Sequence, residues 1–230
     1  MKAVIIAGGH GKRMRPLTEN VPKTMVEVGG KPFIDWIIKW FMSCGVNDFV
    51  LLVGYKKEVL MEHLDSKKDE LGISVRYSAE EVPLGTGGAL KNAQHLLDCE
   101  KEFAVVNSDF VTNIDIRKLS LRNGAVASVA IMPMKSPYGI VEMQGDLITR
   151  FRQKPVLNDV LMNAGIYVMS DKMFGYLPDK GEFETHGFPE LVAQGKLNGY
   201  NFAGSYWRTA DTIKEVEEIN ADIQGGVVFK

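Results

Sequence analysis

The sequence predicts a doubly wound α/β fold, with a mostly parallel mixed sheet and an antiparallel portion in its second half. Three observations carry this. Short β-branched runs punctuate the first half at Ala3–Ala7, Phe49–Val53, Ile73–Tyr77 and Phe103–Asn107. Continuous apolar runs of this length suit strands covered on both faces, as in a parallel sheet. Helical patterns lie between them, and strand–helix–strand alternation implies right-handed crossovers. In the second half, Gln144-Gly145-Asp146 separates two strand-like runs, which signals an antiparallel hairpin.

The elements follow in order. Ala3–Ala7 empties into a glycine-rich turn. Phe33–Cys44 is apolar at nearly every turn and reads as a helix, and Cys44 reads as a buried thiol. Lys56–Leu64 is amphipathic, with Val59, Leu60 and Leu64 on one side. Thr86–Leu97 places Leu90, Ala93 and Leu97 together as a third helix. Ala125–Met132, Tyr138–Met143, Leu147–Phe151 and Ala164–Met169 read as strands. Asp171–Leu177, Phe188–Gln194 and Thr212–Ile223 read as helices. No repeat, low-complexity stretch or long linker interrupts them. Residues 1–230 are therefore expected to form one domain, with halves at about 1–110 and 111–222.

Composition excludes several function classes. The 230 residues are 45% hydrophobic and carry a net charge of -2, which argues against a protein-wide basic surface for nucleic acid. The longest apolar window, Phe33–Met42, holds Asp35 and Lys39 and falls short of the roughly 20 apolar residues of a membrane span. Two distant cysteines, with no Cys/His cluster, indicate neither a disulfide framework nor a zinc site. With no secretory leader pattern, a cytoplasmic location is expected. Trp36 and Trp40 read as core or a subunit contact; the oligomeric state is not readable, and the apolar Phe33–Cys44 helix only hints at a homo-oligomer contact. Residues 1–31 carry six basic side chains against two acidic ones, so a local cationic site is hidden in the neutral total.

That site falls on the turn after the first strand, Gly8-Gly9-His10-Gly11-Lys12-Arg13-Met14-Arg15. In open parallel sheets ligands bind beyond the carboxyl ends of the strands. Glycines there let backbone N–H groups approach phosphate oxygens, and Arg and Lys add charge. The spacing gives neither GxGxxG nor GxxxxGK[ST], so it supports neither a dinucleotide fingerprint nor a P-loop. His10, His63, His95 and His186 show no ligand spacing, and His10 reads as a flexible loop residue.

The longer string AVIIAGGHGKRMRPLTENVPKTMVEVGGKP, residues 3–32, resembles the signature of the sugar-1-phosphate nucleotidylyltransferases. Further blocks keep that family's order: Pro83–Ala89 (PLGTGGA), Asn107-Ser108-Asp109, Tyr138-Gly139-Ile140-Val141, Phe151-Arg152-Gln153-Lys154-Pro155 and Asn163-Ala164-Gly165-Ile166-Tyr167. The resemblance implies a Rossmann-like, glycosyltransferase-A-like fold whose antiparallel portion serves the sugar side. It implies a transferase that joins an NTP to a sugar 1-phosphate and releases pyrophosphate. It places Ala7, Gly8, Gly9, Gly11, Lys12, Glu80, Gly85 and Thr86 on the nucleotide. Arg13 is implied to hold the triphosphate, and Lys23 the sugar phosphate and α-phosphate. Tyr138, Gly139, Gln153, Lys154 and Asn163 are implied to hold the sugar phosphate.

A triphosphate normally travels with Mg²⁺, which prefers a few carboxylates plus phosphate oxygens and water. Asp109 is the first implied ligand. The second is open: in Trp207-Arg208-Thr209-Ala210-Asp211-Thr212, direct register puts Thr209 on the family aspartate, whereas a variant pattern puts Asp211 there. Asp211 is assigned, with an N-cap role as the structural alternative. Glu80 lies near the family's base-reading position. A carboxylate accepts from guanine N1–H and the exocyclic amine but has no proton for a pyrimidine oxygen, which favours GTP. UTP-, dTTP- or CTP-dependent transfer, and an inactive nucleotide-sugar-binding member, are the alternatives. The departures Lys12, Met14, Thr24, Gln153 and Thr209 feed the latter; Arg13, Lys23 and Asp109 oppose it.

Overall fold

A computed structural model describes residues 1–227. The first half runs β1 (Ala3–Ile6), β2 (Glu27–Val28), β3 (Lys31–Pro32), α1 (Phe33–Ser43), β4 (Asp48–Val53), α2 (Lys57–Asp65), α3 (Lys68–Leu71), β5 (Ser74–Ala79), α4 (Gly85–Asn92) and β6 (Glu102–Asn107). The second half runs β7 (Phe110–Thr112), β8 (Ala127–Lys135), β9 (Ile140–Gln144), β10 (Leu147–Arg152), β11 (Val156–Ser170), α5 (Gly187–Ala193), β12 (Leu197–Asn201), β13 (Trp207–Thr209) and α6 (Ile213–Gln224).

One seven-stranded sheet, in the order β12-β8-β11-β6-β1-β4-β5, passes through both halves. β4, β1 and β6 pair in parallel, as do β4 with β5 and β8 with β12; β11 runs antiparallel to both its neighbours. The strands alternate between two cores with the period of a pleated strand. Ala3, Ile5, Phe49, Leu51, Ala104 and Val106 enter the cluster with α1, while Val4, Val50, Leu52, Phe103 and Val105 enter the opposite one with α4 and α5. A third cluster joins Met14, Val26, Val28 and Phe33 to Val111, Ala210, Val216 and Ile219. That cluster pins the basic loop to the C-terminal helix.

The expected mixed α/β sheet is present, and several element bounds differ for identifiable reasons. The helix expected over residues 86–97 ends at Asn92 and passes into a 3₁₀ turn at Gln94–Leu96. The helix expected over residues 171–177 is a 3₁₀ turn, Asp171–Tyr176, in a segment holding Gly175 and followed by Pro178. β11 starts eight residues before the expected strand, because its first half, interrupted by Asn158 and Asp159, is mostly exposed and lacks the pattern of a covered strand. β12, with the sequence LNGYN, lacks an apolar run and is legible only as the edge partner of β8.

Two expectations about α1 need correction. Its apolar face lies inside this chain's own core: Phe33, Ile34, Ile37, Ile38 and Phe41 are buried, and the Trp40 indole donates to the Ile114 carbonyl at 2.6 Å. It is not the available subunit surface. Cys44, at its C-terminal end, is half-buried rather than buried. Exposed large apolar side chains concentrate instead on the β9–β10 hairpin and early β11, among them Met143, Leu147, Phe151 and Val156.

Candidate active site

The site begins where β1 ends. Gly11 is left-handed (φ +57), and a Cβ there would come within 2.9 Å of the Thr18 side chain. Its carbonyl accepts from Thr18 Oγ1 (2.8 Å) and from the Met14 N–H (2.9 Å), and Met14 is fully buried. The loop is thus folded back on itself, with a 3₁₀ turn at Lys12–Met14 that turns Arg13 outward. Gly9, Gly11, Lys12, Arg13, Lys23, Asn107, Asp109 and Asp211 line a cleft of about 390 Å³.

Lys23 lies at its centre. Nζ donates to Asp109 Oδ2 at 2.5 Å and to Asp211 Oδ1 at 2.6 Å, and Arg13 reaches the same Asp211 oxygen at 2.9 Å. Lys23 is largely covered, whereas the Arg13 side chain is 73% exposed and free to swing. Burial alone would raise the Asp211 carboxyl. The Lys23 and Arg13 charges outweigh it and hold the group below the ordinary carboxylate range.

A short ladder brings the two carboxylates together. β13 pairs antiparallel with β7, placing Thr209 opposite Phe110. Thr209 Oγ1 and the Ala210 N–H both donate to the Asp109 carbonyl, so Thr209 is engaged with backbone and Asp211 faces Lys23. The N-cap of α6 is Thr212, in a complete capping box with Glu215, and this excludes the cap role for Asp211. Both carboxylates converge on one cationic point. Among the described residues no group of three or more His, Cys, Asp or Glu gathers for a metal. Two carboxylates beside a polyphosphate-sized cleft fit Mg²⁺, which takes its remaining ligands from phosphate and water.

A second, apolar pocket of about 210 Å³ adjoins the cleft across Ile6, Gly9 and His10. Leu52, Val53, Pro83, Gly85, Ala89 and Glu80 complete its wall. Glu80 Oε2 accepts the Leu84 N–H at 2.9 Å, so one oxygen of the expected base reader is anchored to its own turn. Its Oε1 packs beside Gly8 and Gly54. His10 needs correction: it is not a loose loop residue but packs on the Tyr55 ring at 4.6 Å and lines both cavities. Nothing in histidine spacing announces this, because Tyr55 comes from the end of β4.

Two residues expected on the nucleotide also carry structural hydrogen bonds. The Ala7 N–H donates to Leu52 O at 2.8 Å and its side chain is buried, so sheet pairing uses the group that would have met a phosphate. The Thr86 hydroxyl donates to Glu184 Oε2 and accepts the Phe183 N–H, so Thr86 lines the pocket with its hydrogen bonds already made.

The expected sugar-side residues lie on a more open surface. Tyr138 is 75% exposed, and Gly139 packs against Phe151 and Gln153. Lys154 holds a left-handed backbone (φ +46), uncommon for a side chain of its length. Asn163 Oδ1 accepts the Gly165 N–H, and its Nδ2 donates to the Tyr167 hydroxyl. Gly165 is left-handed (φ +69), and a Cβ there would meet Asn107 Nδ2 at 2.6 Å. The Asn163 block therefore packs directly against the cleft wall. Tyr167 and Glu184 are site-proximal residues that the sequence reading missed.

The family model for nucleotidyl transferases matches residues 2–225. The chain belongs to the nucleotidyl transferase family. Curated relatives named mannose-1-phosphate guanyltransferase include one from Candida albicans, 36% identical over 228 residues, and one from Pichia angusta, 38% identical over 228 residues. In both cases the match covers 94% of this chain and 62% of the relative, so the chain spans less than two thirds of their length. The crystal structure of HddC from Yersinia pseudotuberculosis is similar with a TM-score of 0.75 and 25% identity, covering 96% of this chain and 99% of that one. The nucleotidyl transferase resemblance drawn from motifs is thus established as family membership, and the mixed α/β sheet as the fold of a solved neighbour. Among the described residues no helix is long and apolar enough to cross a membrane.

Proposed function

We propose that the chain transfers a guanylyl group from GTP to a sugar 1-phosphate of the mannose 1-phosphate class and releases pyrophosphate. The observation that carries this reading is the Lys23 ammonium between Asp109 and Asp211, flanked by Arg13, in a cleft that shares a wall with the apolar pocket. Relatives named mannose-1-phosphate guanyltransferase, at 34–38% identity, support the base and the sugar. The two free cysteines suit a reducing, cytoplasmic setting.

In this reading a sugar-phosphate oxygen attacks the α-phosphorus in line with the bond to the β-phosphate. The new P–O bond forms as the old one breaks, and pyrophosphate leaves with the electron pair. No base is required, because the nucleophile is already an anion. The barrier is repulsion between two polyanions, so charge neutralisation and alignment supply the rate. Arg13 takes the triphosphate and the departing pyrophosphate. Lys23 turns from the carboxylates to the α-phosphate and the sugar phosphate. Asp109 and Asp211 are the residues that would hold Mg²⁺, which when bound supplies charge neutralisation at the phosphates.

Gly8, Gly9, Gly11 and Lys12 cradle the phosphates, and Gly85 borders the base. Glu80 Oε1 accepts from guanine N1–H and its amine while Oε2 stays anchored to Leu84. Asn163, the Gly139 backbone, Tyr138 and Gln153 meet the sugar, and Lys154 its phosphate. Pyrophosphate release from the four NTPs, each paired with mannose, heptose, glucose and N-acetylhexosamine 1-phosphates in Mg²⁺, tests the reading. Release with GTP and mannose 1-phosphate is expected. A strong preference for UTP would contradict the role given to Glu80, and nucleotide binding without release from any pair would contradict catalysis.

A further inference from the structure

Resting on that reading, we propose that Glu184 is a positioning residue that fixes the sugar-contacting Asn163 through Tyr167, and the nucleotide-side turn through Thr86. It belongs to no motif of the sequence. It follows Phe183 in the segment between the 3₁₀ turn and α5, and it joins two parts of the site far apart in the chain.

The argument is one of hydrogen-bond polarity. An ionised carboxylate only accepts. Glu184 Oε2 accepts from Thr86 Oγ1 at 2.8 Å, and Oε1 accepts from the Tyr167 hydroxyl at 3.2 Å. Each of those hydroxyls also receives a proton from elsewhere. The Phe183 N–H donates to Thr86 Oγ1 at 3.2 Å, and Asn163 Nδ2 donates to the Tyr167 oxygen at 2.7 Å. Both hydroxyl protons must therefore point at Glu184. Tyr167 is fully buried, and burial first, then the Glu184 charge, pushes its phenol far above the ordinary value, so it stays a donor.

This order reaches the substrate face. With the Tyr167 proton on Glu184, only an N–H can face the Tyr167 oxygen, so the Asn163 amide cannot flip. Its Oδ1 is directed to the Gly165 N–H at 2.8 Å, and Nδ2 carries a second N–H for a sugar hydroxyl. Glutamine at position 184 would keep the shape and lose the order. Its amide keeps one acceptor oxygen for two hydroxyl protons, so either orientation leaves one arm mismatched and exchange between the two orientations disorders both.

Three single variants and one double variant separate the arms, read by steady-state pyrophosphate release with GTP and mannose 1-phosphate. Tyr167→Phe is expected to raise the KM for the sugar phosphate about tenfold, the order of one hydrogen bond to a charged network, and to leave the KM for GTP unchanged. Thr86→Val is expected to do the reverse. Glu184→Gln is expected to raise both, and Glu184→Gln with Tyr167→Phe to raise the sugar-phosphate KM no more than either alone. Lower thermal stability of Glu184→Gln with both KM values unmoved would make Glu184 merely structural and overturn the proposal. Should Glu184→Gln fail to fold, the opposite selectivities of the Tyr167 and Thr86 variants carry the test, and their absence overturns it. Calorimetric titration of the same variants, with a non-hydrolysable GTP analogue and then with mannose 1-phosphate, reads both arms without turnover. A wild-type chain that binds both but releases no pyrophosphate refutes catalysis, and the Glu184 split is still read from binding.

Discussion

Lys23 holds together two carboxylates that would otherwise repel each other, and it does so while largely covered. In the proposed reading the same pair would hold a divalent cation, and Lys23 would turn from the carboxylates to the phosphate oxygens. Arg13 has no such double duty. It is mostly exposed and pairs with Asp211, and the proposed reading gives it the charge that develops on the leaving group. Arg13→Ala is therefore expected to lower kcat by about a hundredfold or more while the sugar-phosphate KM moves little; equal losses in both would contradict its assignment to the transition state. Asp211 gives a pH prediction. Its carboxyl is depressed below the ordinary 3.8, with burial opposing and the Lys23 and Arg13 charges prevailing. A depressed acid stabilises the fold above its ordinary value, and that contribution disappears as pH falls through the lowered one. Urea unfolding of wild type and Asp211→Asn should differ at neutral pH and converge below about pH 4. A gap that stays constant into acid would contradict the ion-pair account.

At the scale of elements, the site depends on ends rather than on middles. β1 and β6 deliver the glycine loop and Asp109, and the β7–β13 ladder delivers Asp211. The capping box at Thr212 starts α6 directly after Asp211, and the Asp211 N–H also donates to Glu215. Thr212→Ala is expected to cost about 1 kcal/mol of stability, measured by urea unfolding, and to lower activity by loosening Asp211. The central parallel strands were readable, because strands covered on both faces are built on apolar runs, as in FVLLV and FAVV. The sequence hid the ladders of two or three residues and the exposed first half of β11, whose pairing comes from partners and not from their own side chains. The phosphate loop and Asp109 were legible because glycines and charges follow a strand directly. The His10–Tyr55 contact and the Asn163–Tyr167–Glu184–Thr86 chain were not, because each joins residues that only folding brings together.

The whole molecule is asymmetric across its sheet. The proposed nucleotide side has a polar cleft and an apolar pocket sharing a wall, while the proposed sugar side is an exposed hairpin and the outer half of β11. A preformed pocket binds with little ordering cost, whereas an open surface must gather its groups around the ligand. GTP with Mg²⁺ should therefore raise the thermal midpoint by several degrees at saturation, and mannose 1-phosphate alone by much less. Equal shifts would argue for a preformed sugar site. The central claim concerns which phosphorus is attacked, and labelled GTP tests it most directly. With mannose 1-phosphate and Mg²⁺, label at the α-phosphate should appear in the nucleotide sugar and label at the γ-phosphate in pyrophosphate. Label from the γ-phosphate in orthophosphate or on the sugar would contradict attack at the α-phosphorus.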